Sequence, residues 1–308
     1  MSETAEVAVL YSAIEESARL LGVPCSRDKV WPILTAYGEA LPQAVIAFRV
    51  ATGARYQGEL DWRFTVPNDV DPYAIAVSNG LTTKTDHPVG TLLSDIHEQC
   101  PIDSYGIDFG VVGGFKKIYS FFPSDDMQKL PTLADISSMP RSLADNLHFF
   151  ARYGLADKVN VFGIDYKHGT ANVYFGGLPS ECLEPKTIRS MIREIELPEP
   201  SEQMIKLGQN AFGIYVTLGW DSSRIERFCF AVMSSDSMAL PVQLEPKIEQ
   251  FLRSVPYPAA DNRFVYYAAV SSTDEEHYKL QSYYNWQPRM LNQMLLTESG
   301  SASEKDRG

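Results

Sequence analysis

The chain has 308 residues, 44% of them hydrophobic, and a formal net charge of −12 at pH 7. That length and apolar content support a large packed core, while the negative balance argues against nucleic acid as the partner, because gripping a phosphate backbone takes a basic surface. Any polyanionic small ligand must therefore meet a local concentration of positive charge.

The longest apolar runs, such as residues 44–48 and 228–232, fall far short of the roughly 18 residues of a membrane span. Residues 1–9 carry Glu3 and Glu6 where a secretory leader carries lysine or arginine, so a cytoplasmic location is expected. Cys25, Cys100, Cys182 and Cys229 lack C-x-x-C spacing, and His87, His97, His148, His168 and His277 lack the i, i+4 spacing of a zinc helix. Neither a zinc site nor a disulfide framework is indicated.

In chain order, apolar spacing of three to four predicts helices over residues 5–21 and 27–41, followed by two period-two runs, 44–50 and 59–66. A helix over 88–97 precedes strands 106–112 and 116–122. A helix over 141–153 precedes strands 158–166 and 170–175. Helix 185–194 leads to strands 211–218 and 225–232, and helix 245–255 to strands 264–271 and 277–284. Gly113-Gly114, His168-Gly169 and Asp221-Ser222-Ser223 supply hairpin turns. Residues 297–308 are small and polar and are expected to be disordered, leaving 1–296 as a single domain.

The second strand of each pair carries a polar residue at nearly constant spacing: Asp61, Lys117, Asn172, Arg227 and Lys279 lie 56, 55, 55 and 52 residues apart. Five helix–strand–strand–helix units of this kind form an α+β fold, in which ten antiparallel strands close into one barrel ringed by helices and no sheet edge stays exposed. Two open sheets in separate domains are the alternative, though no Pro/Gly/Ser linker divides the chain.

Strand parity then sorts the side chains. Leu60, Trp62, Phe64 and Val66 share one face and suit a helix layer, which turns Asp61 and Arg63 into the barrel. The same argument turns Lys117, Tyr119 and Phe121 inward, then Asn172 and Tyr174, Gly213, Tyr215 and Thr217, Arg227 and Cys229, and Lys279, Gln281 and Tyr283. A small packed barrel is filled with aliphatic side chains; cations, amides and tyrosines instead suit a lumen that holds an anion beside an apolar group. The competing explanation is a solvated sheet face for the cations and ordinary core positions for the tyrosines.

At these positions the chain resembles the soluble aromatic prenyltransferases of the PT-barrel (ABBA) type. The resemblance runs over nearly the whole length. It is carried by Gly58-Glu59-Leu60-Asp61, Asp71-Pro72-Tyr73-Ala74, His87-Pro88-Val89, Gly113-Gly114-Phe115-Lys116-Lys117 and Ser138-Met139-Pro140. Further along come Phe150-Ala151-Arg152-Tyr153-Gly154-Leu155, Asp165-Tyr166-Lys167, Asn172-Val173-Tyr174-Phe175, residues 215–218, Cys229-Phe230-Ala231-Val232 and Tyr278-Lys279-Leu280. The resemblance implies ten antiparallel strands around the active site and transfer of a dimethylallyl or geranyl group, with farnesyl also open, from its diphosphate to an electron-rich ring. Dihydroxynaphthalene, phenolic, quinone-derived and phenazine acceptors all qualify.

By motif position, Lys117, Asn172, Tyr215, Arg227 and Lys279 would hold the diphosphate, and Tyr119, Phe121, Val161, Tyr174, Phe212, Gly213, Gln281 and Tyr283 would hold the prenyl chain and the acceptor. Asp61 matches the magnesium-binding carboxylate of metal-dependent members. Two residues later those members have a small hydroxyl residue, whereas this chain has Arg63. An arginine there is expected to pair with Asp61, to contact phosphate and to replace the metal, so no cofactor is expected and Arg63 joins Lys117, Arg227, Lys279 and Tyr215 as a catalytic residue. His168 takes the place of a diphosphate-binding lysine and is expected to be an ordinary exposed turn residue, with Lys167 as the substitute. A barrel phosphatase or cyclase and a non-catalytic carrier of aromatic metabolites or prenyl diphosphates are the alternatives. Full closure calls for no partner subunit, so a monomer is expected.

Overall fold

A computed structural model describes residues 3–53, 56–238, 244–258, 263–273 and 276–286; residues 297–308 lie outside them. Ten strands form a closed antiparallel barrel: β1 (Ile46–Ala51), β2 (Asp61–Pro67), β3 (Ser104–Gly110), β4 (Gly114–Phe121), β5 (Val159–Asp165), β6 (Thr170–Phe175), β7 (Gly213–Gly219), β8 (Ile225–Ser234), β9 (Phe264–Ser271) and β10 (His277–Asn285). Each strand pairs with its neighbours in sequence, and β1 pairs with β10 to close the ring. The order follows from local hairpins: a chain of adjacent antiparallel pairs needs only one long-range pairing to seal it.

The outward faces are apolar, as parity predicts. Trp62, Phe64 and Phe109 stack on one another across β2 and β3, and this layer is buried with the helices in one continuous core. A second, smaller apolar cluster lies inside the barrel and includes Ala47, Tyr215, Cys229, Val265, Tyr267 and Tyr283.

The helix predictions hold in existence and differ at their ends. The helix expected over 27–41 stops at Ala36; Tyr37 leaves helical geometry and its hydroxyl donates to the Pro72 carbonyl at 2.7 Å. Residues 88–90 form a single 3₁₀ turn, so the helix proper begins only at Leu92 and runs to Gln99. The span 141–153 is broken into Arg141–Asp145 and Leu147–Arg152 by Asn146, whose amide donates to the Ser142 and Ser223 carbonyls. Three short helices escape the periodicity argument. Pro72–Ser78 and Glu202–Gly208 are capped at their N-termini by Asp71 and Ser201. The third is Leu130–Ala134. None is long enough to show an apolar stripe. Among the described residues no helix is long and apolar enough to cross a membrane.

Candidate active site

Cross-strand register brings the inward residues of different strands to the same height. One tier runs Arg63↔Asp108↔Lys117↔Asp165↔Thr170. The next, one residue pair further from the hairpins, runs Gly106↔Tyr119↔Gly163↔Asn172↔Thr217↔Arg227. Below it Val161↔Tyr174↔Tyr215↔Cys229 carries the series on. The lumen is thus graded from charged at the hairpin end to aromatic and apolar at the other.

The charged end is a basin that includes Arg49, Lys116, Lys117, Lys167, Arg227 and Lys279 in its wall. Its cations are not equivalent. Arg49 donates to Asp61 Oδ2 at 3.0 Å and to Asp108 Oδ2 at 2.7 Å. Lys116 Nζ lies 2.8 Å from Glu59 Oε2 and 2.5 Å from Asp61 Oδ1. Lys117 Nζ lies 2.8 Å from Asp165 Oδ2. Lys279 forms no ion pair or hydrogen bond among the described residues. Burial, reinforced by Arg227, Arg49 and Lys117, pushes its ammonium well below the usual lysine range. Burial alone would raise the Asp108 carboxyl, but Arg49 and Arg63 overcome it and hold the group far below ordinary carboxylates.

Lys116 owes its position to an irregularity. Asp108 faces Lys117 while Phe109 faces Phe115, so Lys116 is the extra residue of a bulge and points to the mouth alongside Lys117. Gly110 leaves room for it: a Cβ there would come within 2.6 Å of Lys116 Cε.

Asp61 is the position at which magnesium would be bound, and the donor set does not suit it. Both carboxylate oxygens are taken by cations, Arg49 on one and Lys116 on the other. Among the described residues no group of three or more His, Cys, Asp or Glu side chains is placed to hold a metal.

The apolar end is a cavity lined mainly by aromatic and aliphatic side chains. Tyr119, Phe121, Val161, Tyr174, Phe212 and Gly213 line it, in company with Tyr215, Tyr267 and Arg63. Tyr174 and Tyr215 stack at 4.6 Å between centroids, and Tyr119 meets Tyr174 edge-on at 5.9 Å. The Tyr119 ring lies over Gly163, where a Cβ would stand 2.9 Å from two ring carbons. Burial above all lifts the hydroxyls of Tyr174 and Tyr215 well above the normal range, and burial pushes the Cys229 thiol up to about 12, so none of the three presents an anion to the lumen.

Of the diphosphate set read from the sequence, Lys117, Arg227 and Lys279 meet in the basin. Asn172 is buried in the tier of Arg227, one below Lys117; its carbonyl oxygen accepts from Thr217 Oγ1 at 2.8 Å, and its amide nitrogen has no partner among the described residues. Tyr215 and Arg63 line the apolar cavity instead. The expected pair of Arg63 with Asp61 is corrected: Arg63 Nε lies 2.6 Å from Asp108 Oδ1. Residues two apart on one strand are about 6–7 Å apart, whereas cross-strand neighbours are about 4.5–5.5 Å apart, so Asp108 opposite wins. Gln281 and Tyr283 are buried on β10, joined by a 2.7 Å hydrogen bond from the amide to the phenol oxygen. His168 is an exposed turn residue, as expected; with Lys167 it lies at the rim of the basin, and its Nδ1 is 3.0 Å from Asp165 Oδ2. Arg49, Asp108 and Lys116 are site residues the sequence pattern does not single out; charged residues in otherwise apolar strand runs were the available signal.

A barrel that joins a cationic basin to a tyrosine-lined cavity defines a class of protein that handles a hydrophobic group attached to an anion. Residues 5–294 match the family model described as aromatic prenyltransferase Orf2, and the chain belongs to that family. It is 54% identical over 286 residues to a flaviolin linalyltransferase of Streptomyces virginiae, covering 93% of this chain and 95% of that one. It is 55% identical over 281 residues to a furaquinocin biosynthesis prenyltransferase of Streptomyces sp. (strain KO-3988), covering 91% of each. Against a 5,10-dihydrophenazine-1-carboxylate 9-dimethylallyltransferase of Streptomyces anulatus the identity is 51% over 302 residues, 97% of this chain and 100% of the other. The protein is an aromatic prenyltransferase.

Proposed function

We propose that the protein ionises dimethylallyl or geranyl diphosphate in the basin and delivers the allylic cation to a fused, electron-rich aromatic ring held in the apolar cavity, without a metal ion. The observation that carries this reading is the continuity of the two compartments on single strands. Lys117 and Tyr119 are two residues apart on β4, and Thr217 and Tyr215 two apart on β7, one of each pair in the basin and one in the cavity. A spacing of about 6–7 Å matches a diphosphate and its first prenyl carbons lying across the boundary.

In the reaction the C1–O bond breaks heterolytically and its electron pair leaves with the diphosphate. Lys117, Arg227 and Lys279 face the growing negative charge, supported by His168 and Lys167 at the rim, in a setting where fixed cations act most strongly. Asn172, with its free amide hydrogens, suits the oxygen bridging to C1. The stacked Tyr174 and Tyr215 rings bracket the cation and keep out water. Tyr119 contributes differently, because the Arg63 guanidinium already covers one of its faces, 4.0 Å from the centroid. A ring π-pair of the acceptor then forms the new bond to carbon, and the ring proton leaves to restore aromaticity.

The named acceptors of the relatives, flaviolin and dihydrophenazine-1-carboxylate, are fused ring systems, and we assign an acceptor of that kind here. Arg49 and Lys116 stand where a metal would neutralise Asp61, which supports metal-free turnover. A polar diphosphate donor suits a cytoplasmic location, and we propose a monomer with one domain over residues 1–296. Incubation with geranyl diphosphate and 1,6-dihydroxynaphthalene in excess EDTA should give a prenylated product by mass. Binding of both ligands with neither consumed would favour a carrier, and release of free prenyl alcohol alone a phosphatase.

A further inference from the structure

Among the described residues lining the apolar cavity, Arg63 alone is charged. A guanidinium is the wrong sign for stabilising an allylic cation, and although Arg63 shares a tier with Lys117 across Asp108, it lines the apolar cavity whereas Lys117, Arg227 and Lys279 line the basin. Two of its nitrogens are committed: Nε to Asp108 Oδ1 at 2.6 Å and Nη2 to Asp108 Oδ2 at 3.3 Å. Nη1 makes no hydrogen bond among the described residues, and the side chain keeps 17% of its surface accessible.

Asp108 does not cancel that charge. The same carboxylate accepts from Arg49 at 2.7 Å and from the Tyr119 hydroxyl at 2.8 Å. Arg49, Arg63 and Lys116 share the two inner carboxylates, Asp61 and Asp108, and the third carboxylate, Glu59, stands at the exposed rim. Asp108 is thus shared by two guanidiniums, and the fork to Asp108 and the Tyr119 ring beneath hold the Arg63 guanidinium plane fixed. A guanidinium so held offers its remaining edge to an oxygen anion with little ordering cost.

From this we infer that Arg63 Nη1 receives an ionised oxygen, a phenolate, enolate or carboxylate, carried on the ring system of the aromatic acceptor, so that the enzyme selects acidic acceptors. The inference deepens the prenyl-transfer reading and rests on it. The anion does a second service: it places negative charge on the nucleophilic ring at the moment the allylic cation approaches.

The test compares 2-hydroxy-1,4-naphthoquinone, ionised at neutral pH, with neutral 1,6-dihydroxynaphthalene, by calorimetric binding in the presence of a non-ionising geranyl thiolodiphosphate. The wild-type protein should bind the anion more tightly by about ten- to a hundredfold, the range for a hydrogen bond to a charged group. Its affinity for that probe should fall as pH drops below the probe's own acidity, while the neutral probe stays level. Arg63→Gln should erase the preference, and Arg63→Lys should restore part of it. Equal wild-type binding of the two probes would overturn the inference. So would a preference that survives Arg63→Gln while the donor KM rises, which would make Arg63 a diphosphate ligand. If the glutamine variant does not fold, the wild-type pH series decides. Product formation from the neutral probe tests the underlying reading separately, so the two can fail independently.

Discussion

The two sides of the barrel mouth treat positive charge in opposite ways. On the β1–β4 side Arg49, Arg63, Lys116 and Lys117 each meet a carboxylate within 2.8 Å, and the inner carboxylates Asp61 and Asp108 are shared. On the β8–β10 side Lys279 stands beside Arg227 without an ion pair among the described residues. A balanced cation behaves as scaffold, since its desolvation is already offset by its partner. An unbalanced one stores electrostatic cost that only an incoming anion relieves. We propose that a diphosphate draws most of its binding from Lys279, while Arg49, Arg63 and Lys116 fix the shape of the lumen and Arg49 and Lys116 occupy Asp61.

The largest test of that contrast is Asp108→Ala, which strands the Arg63 guanidinium inside the barrel and leaves Arg49 with Asp61 alone. Removing one partner of a buried pair costs about 3–5 kcal/mol, so urea unfolding should shift by that order. A change under about 1 kcal/mol would mean that water already solvates the cluster. Lys279→Met should move stability the other way. The melting temperature of the ligand-free protein should rise, because an unbalanced ammonium is gone, while affinity for the donor falls about ten- to a hundredfold. A fall in both would place an unseen partner beside Lys279 and break the comparison.

How far the sequence reveals these two sides depends on regularity. All five strand pairs are legible because apolar residues on the helix-facing side alternate with polar ones inside, as in Leu60-Asp61-Trp62-Arg63-Phe64. The β8–β10 side is legible for the same reason: Arg227 and Lys279 sit in regular period-two runs. The balanced side is where parity fails. Lys116 is displaced by a bulge that no counting rule anticipates, and Arg49 shares its inward face with Ala47, too small to mark a lumen. The partner of Arg63 depends on the register of a second strand, which one strand cannot supply. Helix ends such as the break at Asn146 depend on a carbonyl 77 residues away in sequence, on Ser223.

The depressed Lys279 ammonium gives the comparison a pH signature. In the free protein its pKa lies below the unfolded value, so native stability should rise as pH climbs through the depressed value toward the ordinary lysine range and level off above it. A bound diphosphate favours the charged form, so between those limits binding takes up a proton and donor affinity falls with rising pH, by at most about tenfold per unit. Calorimetry with geranyl thiolodiphosphate in HEPES and in Tris should show a binding enthalpy that follows the buffer's ionisation enthalpy. Lys279→Met should abolish the dependence, and a wild-type enthalpy indifferent to buffer would show that Lys279 is already charged.

The smallest expected effect falls on the balanced side and asks whether its cations replace a metal. Wild-type turnover should be the same in EDTA and in magnesium, because Arg49 and Lys116 hold both oxygens of Asp61. Lys116→Ala frees Oδ1 and widens the space over Gly110, leaving a carboxylate oxygen and room for a hydrated divalent ion. Turnover of the variant in EDTA should drop about tenfold, equivalent to roughly 1.4 kcal/mol in the barrier, and magnesium should recover part of it. If magnesium leaves the variant unchanged while donor KM rises, Lys116 contacts the diphosphate itself, and the β1–β4 side is a second half of the anion site instead of its frame.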